Sequence, residues 1–218
     1  MNKPKSMKTI ESDKFWDGVA AKYSQKAVPN EEMYQKKLKE TQSYFSSEMR
    51  VVEFGCGTGT TAIHHAPFVG QIDAIDISEN MLKIGRERAH QVGVGNIDFH
   101  LGTLHDFNAE AESVDVVLGL NVIHLIPNWQ VVIAEVARIL KPGGVFVSST
   151  GCLGGSYMRF LKLVVPVGKC FGLMPDLFVI TEDELADEIK AAGFSIESQW
   201  HYGHKDMEVF IIARKNAL

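Results

Sequence analysis

From Arg50 to Thr150 the chain repeats one pattern: a short run rich in β-branched residues, closed by Gly, Asn or a small hydroxyl residue, then a longer helical stretch. The runs are RVVEFG, QIDAIDIS, NIDFHLG, SVDVVLGLN and GGVFVSST. Strands separated by helix-length connections cannot close as hairpins, so they pair in parallel with the helices as crossovers. DVVLGL and VFV are apolar at almost every position, as strands covered on both faces must be. The pattern predicts an α/β fold with a doubly wound, mostly parallel sheet. Two later runs, FSIESQW and MEVFIIARK, flank a polar turn expected over Tyr202 to Lys205 and read as a closing antiparallel hairpin.

Ahead of the first strand, Phe15, Trp16, Val19, Ala20 and Tyr23 recur at helical spacing, and Pro29-Asn30 divides helices expected over 13–26 and 31–46. Another helix, Thr181 to Ala192, opens on a Thr181/Glu184 capping box and stops at Gly193. Residues 151–180, with glycine breaks, two prolines and many large apolar side chains, are too long for a plain connector. The expected organisation is a helical lid segment over 1–48 and a main domain over 49–218, with 151–180 inserted as a second lid.

Composition removes several classes of function. The 218 residues carry a formal charge of -5, so the broad positive field that holds a phosphate backbone is missing and nucleic acid is not an expected partner. Cys56, Cys152 and Cys170 are widely spaced, with no CxxC pair and no histidines at ligand intervals, which disfavours a disulfide framework and a metal site. The opening MNKPKSMKTIESDK has no apolar core after its basic residues and does not read as a secretory signal. Phe160 to Met174 is interrupted by Lys162, Pro166 and Lys169 and falls short of the roughly 20 residues of a membrane span. A cytoplasmic protein without a transmembrane segment is expected.

The segment most informative about chemistry is Val51-Val52-Glu53-Phe54-Gly55-Cys56-Gly57-Thr58-Gly59-Thr60, a strand running directly into a glycine loop that opens a helix. Glycines there permit positive φ and close approach of a ligand, at the strand ends where open α/β sheets bind. A dinucleotide fingerprint, G-x-G-x-x-G/A, would place a small residue at position 60, which is Thr. Glu53, two residues before the first glycine, repels a pyrophosphate and suits a cation.

EFGCGTG resembles the first motif of the class I S-adenosylmethionine-dependent methyltransferases, an acid followed by any residue and Gly-x-Gly-x-Gly. The resemblance extends over about residues 50–214 and implies a Rossmann-like seven-stranded sheet and S-adenosylmethionine as cofactor. It carries Glu53, Gly55, Cys56, Gly57 and Gly59 over as the cofactor loop, and Asp76, about twenty residues on, as acceptor of both ribose hydroxyls. Ile77 and Met81 take the places that face the adenine, though core packing explains Met81 equally well. Thr103 stands where the family usually has an acid for the adenine amino group, so the Thr103 hydroxyl or the Leu104 backbone would read that edge, with Asp106 as a helix-start or loop residue. Asn121 and Val122 fall in the segment that lies along the methionine part. The Trp16-x-x-x-Ala20-x-x-Tyr23 spacing matches a leading helix whose aromatic closes over the cofactor, making Tyr23 the preferred lid residue among Phe15, Trp16, Tyr23 and Tyr34.

Methyl transfer is a displacement that needs alignment and desolvation more than a dedicated base. His124, in the segment after the fourth strand, is the candidate acceptor of a proton, with a packing role as the alternative. His64 and His65 read as sheet-covering, and His201 and His204 as turn residues. The apolar, aromatic lid segments point to a small, largely apolar acceptor. Two alternatives stay open: an NAD(P)-dependent oxidoreductase on a related sheet, and a non-catalytic cofactor-binding protein. The sequence leaves the oligomeric state open.

Overall fold

The computed structural model describes residues 7–154, 175–202 and 207–217, with the side chains of residues 7–11 left aside. Most of the 151–180 insertion, Cys170 and His204 lie outside these residues. Seven strands form one sheet: β1 Arg50–Phe54, β2 Gln71–Asp76, β3 Ile97–Leu101, β4 Val114–Leu120, β5 Leu140–Gly151, β6 Phe194–Tyr202 and β7 Glu208–Lys215. Their order is β3-β2-β1-β4-β5-β7-β6, parallel except for the β7 pairings with β5 and β6. The chain leaves β1 toward β2 on one side and returns at β4 on the other. This reversal opens a crevice beyond the carboxyl ends of β1 and β4, where such sheets bind ligands.

The alternation of side chains along each strand divides the core in two. Val51, Ala74, Val116, Leu118 and Val147 pack on one face under α2 (Glu31–Gln42), α3 (Thr60–His65) and α4 (Glu79–Gln91). Val52, Phe54, Ile75, Val117 and Phe146 pack on the other, with α5 (Leu104–Phe107), α6 (Trp129–Ile139) and α7 (Glu182–Ala191). Fully burying each such side chain contributes roughly 1.5 to 3 kcal/mol, which pins the register of every inner strand. Glu53 shares the face of Val51 and is 3% exposed, a carboxyl placed inside an apolar layer.

Several boundaries differ from the expectation. The first helix, α1, spans Met7–Ser24 rather than 13–26, because the Lys26 amide turns back to the Tyr23 carbonyl. Helix α2 stops at Gln42 rather than 46, where the Ser43 hydroxyl donates to the Glu40 carbonyl at 2.6 Å and diverts the chain. Strand β5 begins at Leu140, three residues before its Gly-Gly, since Leu140 pairs with Val114 across a bulge. His201 and Tyr202, expected in a turn, are the last residues of β6, paired with Val209 and Glu208. Thr181 and Glu184 form the capping box of α7 as expected. Among the described residues no helix is long and apolar enough to cross a membrane.

Candidate functional site

The glycine loop leaves β1 at Phe54 and adopts positive φ at each alternate residue: 67° at Gly55, 54° at Gly57 and 71° at Gly59. Sterics separate the three. A Cβ at Gly55 would sit 2.3 Å from Val122 Cγ2, and one at Gly59 would sit 2.9 Å from Phe99 Cε1. A Cβ at Gly57 would meet only Tyr23 Cε1, at 3.9 Å. Gly55 and Gly59 therefore let neighbouring elements pack, while Gly57 keeps the loop low beneath Tyr23. The Cys56 amide donates to the Ile75 carbonyl at 3.0 Å, tying the loop to β2, and burial pushes the Cys56 thiol well above its usual range.

Two acids face this loop. The Asp76 carboxylate accepts from the Gly57 amide at 2.8 Å and from the Ser78 amide at 2.9 Å. With the Gly57 amide occupied by a carboxylate, the loop does not present that donor to a phosphate. Burial raises the Asp76 pKa, opposed by these backbone donors. Glu53 lies deeper, its Oε2 without a hydrogen-bond partner, and burial together with the Asp76 charge pushes its carboxyl up to about 8. A buried carboxyl with an orphan oxygen is costly unless a donor or a cation arrives to pair with it.

Across the crevice, Asn121 ends β4 in a left-handed conformation, φ 56°. Its amide donates to the Ser149 carbonyl at 2.6 Å, and its Oδ1 accepts from the Ser149 hydroxyl at 3.2 Å and from the Tyr202 hydroxyl at 3.4 Å. Val122 then packs against Gly55, and His124 follows in a 3-10 turn, Ile123–Leu125. The His124 Nδ1 accepts from the Gly151 amide at 3.4 Å, and its carbonyl accepts from the Phe178 amide at 2.7 Å. Burial lowers the ring's pKa to about 4, so His124 is neutral at physiological pH.

Residues 51–144 match a family described as a methyltransferase domain. Over 132 residues the chain is 33% identical to a demethylmenaquinone methyltransferase of Leptospira interrogans, covering 57% of this chain and 52% of the relative. It is 30% identical to a ubiquinone biosynthesis O-methyltransferase of Xanthomonas axonopodis over 68% of this chain and 63% of that one. The chain thus spans about half the length of the first of these relatives and under two thirds of the second. Among solved structures, the geranyl diphosphate C-methyltransferase of Streptomyces coelicolor superposes with a TM-score of 0.73 over 97% of this chain and 100% of that one, at 13% identity, a likeness of fold. The methyltransferase domain matched over residues 51–144, the relatives and the fold together support the class I S-adenosylmethionine-dependent methyltransferase superfamily.

The site fits the cofactor of that superfamily. S-adenosylmethionine carries an ammonium and a sulfonium and no phosphate, and the crevice offers two carboxyl groups, one with an unpartnered oxygen. Among the described residues no salt bridge engages Glu53 or Asp76, and no cluster of His, Cys, Asp and Glu has the makings of a metal site.

The remaining expected residues fall around this crevice in different ways. Ile77 is half-buried after Asp76, while Met81 is 2% exposed and lies in the core. Thr103 is the N-cap of α5: its hydroxyl donates to Asp106 Oδ2 at 2.7 Å and accepts from the Asp106 amide, in a complete capping box. That hydroxyl is engaged locally, which leaves the Leu104 backbone of the two features expected at the adenine edge. Tyr23 stands over Gly57, with Trp16 edge-on to it at 6.3 Å and Phe15 edge-on to Trp16. Tyr34 meets the Thr61 hydroxyl at 3.4 Å, and His65 is fully buried against Phe45.

Sequence reasoning missed the residues that hold α1 against α4 and the glycine loop. Asp17 of α1 accepts from the Ser78 hydroxyl at 2.6 Å and the Asn80 amide at 3.0 Å, placing an acid at the N-terminus of α4. Arg88 donates to Thr58 Oγ1 at 2.9 Å and Thr60 Oγ1 at 3.1 Å and reaches the Ser24 carbonyl. It also missed Lys37, Ser149 and Tyr202, which meet beside Asn121. No local pattern marks these contacts, whose partners lie 28 to 112 residues apart.

Proposed function

We propose that this chain is an enzyme that transfers a methyl group from S-adenosylmethionine to a small, largely apolar molecule. The observation that carries the proposal is the buried Glu53 carboxyl, with its orphan Oε2, beside a glycine loop kept open at Gly57. In this reading Glu53 and the Asn121 segment hold the methionine end, and Asp76 accepts from the ribose with the lone pairs that Gly57 and Ser78 leave unused. Ile77 and the Leu104 backbone border the adenine, Gly55 and Gly59 shape the loop, and Tyr23 closes it. The cofactor supplies an activated methyl group; the protein aligns the acceptor with it and excludes water. His124, neutral with Nδ1 accepting from the Gly151 amide, carries its proton on Nε2, so in this reading it donates a hydrogen bond to orient the acceptor oxygen, and takes a proton only at Nδ1 in exchange for its bond to Gly151.

An apolar acceptor is supported by the aromatic lid and by the relatives, whose names refer to demethylmenaquinone and ubiquinone biosynthesis. The test is a thermal-unfolding scan with S-adenosylmethionine, S-adenosylhomocysteine, NADH and NADPH. A ligand at about a hundredfold its dissociation constant adds about 2.7 kcal/mol, several degrees for a chain of this size. Stabilisation by the two S-adenosyl compounds alone is expected. Stabilisation by a dinucleotide alone would replace the reading with hydride transfer.

A further inference from the structure

On the face of the sheet that carries Glu53, at the carboxyl ends of β4 and β5, a second polar cluster lies next to the cofactor crevice. Lys37 comes down from α2 so that its Nζ lies 3.9 Å above the centre of the Tyr202 ring and 3.5 Å from the Ser149 hydroxyl. The Ser149 and Tyr202 hydroxyls share a short hydrogen bond, and both approach Asn121 Oδ1. Ser149 is fully buried and Tyr202 nearly so. The neighbouring Trp200 ring, tilted at 61° to Tyr202, extends an aromatic wall beside them.

The cluster is unusual in what the ammonium lacks. An ammonium has three donors, and among the described residues Lys37 has one long hydrogen bond, a ring face and no carboxylate within ion-pair distance. Burial lowers its pKa to about 8, opposed only by the more distant Glu208 carboxylate. A half-buried cation held between the Ser149 hydroxyl and the Tyr202 ring face, beside a flat aromatic wall, is suited to an oxygen brought by a ligand. The Glu208 carboxylate, paired opposite Tyr202 on β7, acts on both Tyr202 and Lys37 and offsets part of the ammonium charge. That balance favours a weakly acidic oxygen, a phenol or an enol, over a full carboxylate.

Resting on the methyltransferase reading, we propose that Lys37, Ser149 and Tyr202 form the polar end of the acceptor site and take the acidic hydroxyl oxygen of a phenol or enol. Asn121 joins this end to the cofactor segment, so one residue aligns both reactants. Lys37 binds and positions the acceptor oxygen.

The test uses the full chain with S-adenosylhomocysteine and 4-nitrophenol as probe, whose phenolate is read by its visible absorbance. Wild-type protein is expected to bind the probe and to enrich the phenolate. K37M, which keeps the apolar stem, is expected to weaken binding by about ten- to hundredfold, the range of a lost charged hydrogen bond, and to abolish the spectral change. K37R restores part of it, and Y202F gives a smaller loss. Equal binding by K37M with the same spectrum, no binding by wild-type protein, or tighter binding of 4-nitrobenzoate would each overturn the proposal. Calorimetry with S-adenosylhomocysteine separates the two readings: its failure in wild-type protein defeats the methyltransferase reading, whereas intact cofactor binding with an unchanged K37M defeats this one alone.

Discussion

Arg88 of α4 donates to the Ser24 carbonyl at 2.6 Å, the last residue of α1, while its other nitrogen holds Thr58 and Thr60 of the glycine loop. One guanidinium thereby ties the end of α1 to the glycine loop beneath Tyr23. Removing it frees the end of α1, and Tyr23 with it, without opening the core. R88A is expected to weaken S-adenosylhomocysteine binding by about 1 to 3 kcal/mol, the scale of charged hydrogen bonds, and to speed proteolysis around residues 25–30. Calorimetry and limited digestion check this; unchanged affinity with unchanged digestion would show that the latch carries no load.

Glu53 links stability to pH in an unusual direction. Its carboxyl, ordinarily near 4.5, is pushed up to about 8 by burial and by Asp76, so between these values the folded chain holds a proton that the unfolded chain has lost. The stability it contributes is present below 4.5 and is lost as pH rises through 8. In E53Q that dependence disappears, so the variant gains on the wild type by about 1.4 kcal/mol per pH unit across the window. Urea unfolding at pH 5 and pH 7.5 measures the difference, and a constant gap would sink the argument.

Cofactor binding reports on the same carboxyl. Pairing with an ammonium favours the ionised form, so at pH 7 binding of S-adenosylmethionine is expected to release close to one proton from Glu53. Calorimetry in two buffers of different ionisation heat counts it, and E53Q should abolish the release. E53A and D76A should each lose about 1 to 3 kcal/mol of binding. Unchanged affinity in both would refute the pocket.

The parallel sheet and the glycine loop are legible because their signals are local. DVVLGL is apolar through consecutive positions, the loop glycines alternate after an acid, and Thr181 with Glu184 spells its own cap. Tyr202 was misplaced because Gly203 and the polar residues after it read as a turn, whereas pairing with Glu208 across β7 extends the strand. Lys37 sits in QKKLKE, which reads as a solvated helix face; only the packing of α2 over Ser149 buries it. Asp17 was passed over amid the aromatic spacing of α1, since its partners Ser78 and Asn80 lie more than sixty residues away. Motifs whose partners lie within a few residues are read from the chain, and those completed by tertiary packing are not.

His124 carries a distinct pH signature. Burial holds the ring neutral down to about pH 4, and Nδ1 already accepts from Gly151. Methyl transfer followed from pH 5 to 8 should therefore show no ionisation near 6.5 from this residue, and H124Q should change the rate by a uniform factor across the range. A limb near 6.5 that vanishes in H124Q would place the ring in open solvent.

The glycines of the loop differ in what a methyl group would meet. At both Gly55 and Gly57 an alanine must hold positive φ, which costs roughly 1 to 2 kcal/mol. G55A also drives its Cβ to 2.3 Å from Val122 Cγ2, adding overpacking of about 1 to 3 kcal/mol. In G57A the added carbon meets only Tyr23, and it occupies the space the loop leaves toward the ligand. G55A should therefore lose more stability than G57A, with V122A recovering part of the loss by removing the two contacting methyls. G57A should lose only the roughly 1 to 2 kcal/mol of its backbone strain, unfolding between the wild type and G55A, yet lose most of its S-adenosylhomocysteine affinity. Equal denaturation midpoints for the two variants would remove the steric distinction, and wild-type affinity in G57A would remove Gly57 from the cofactor floor.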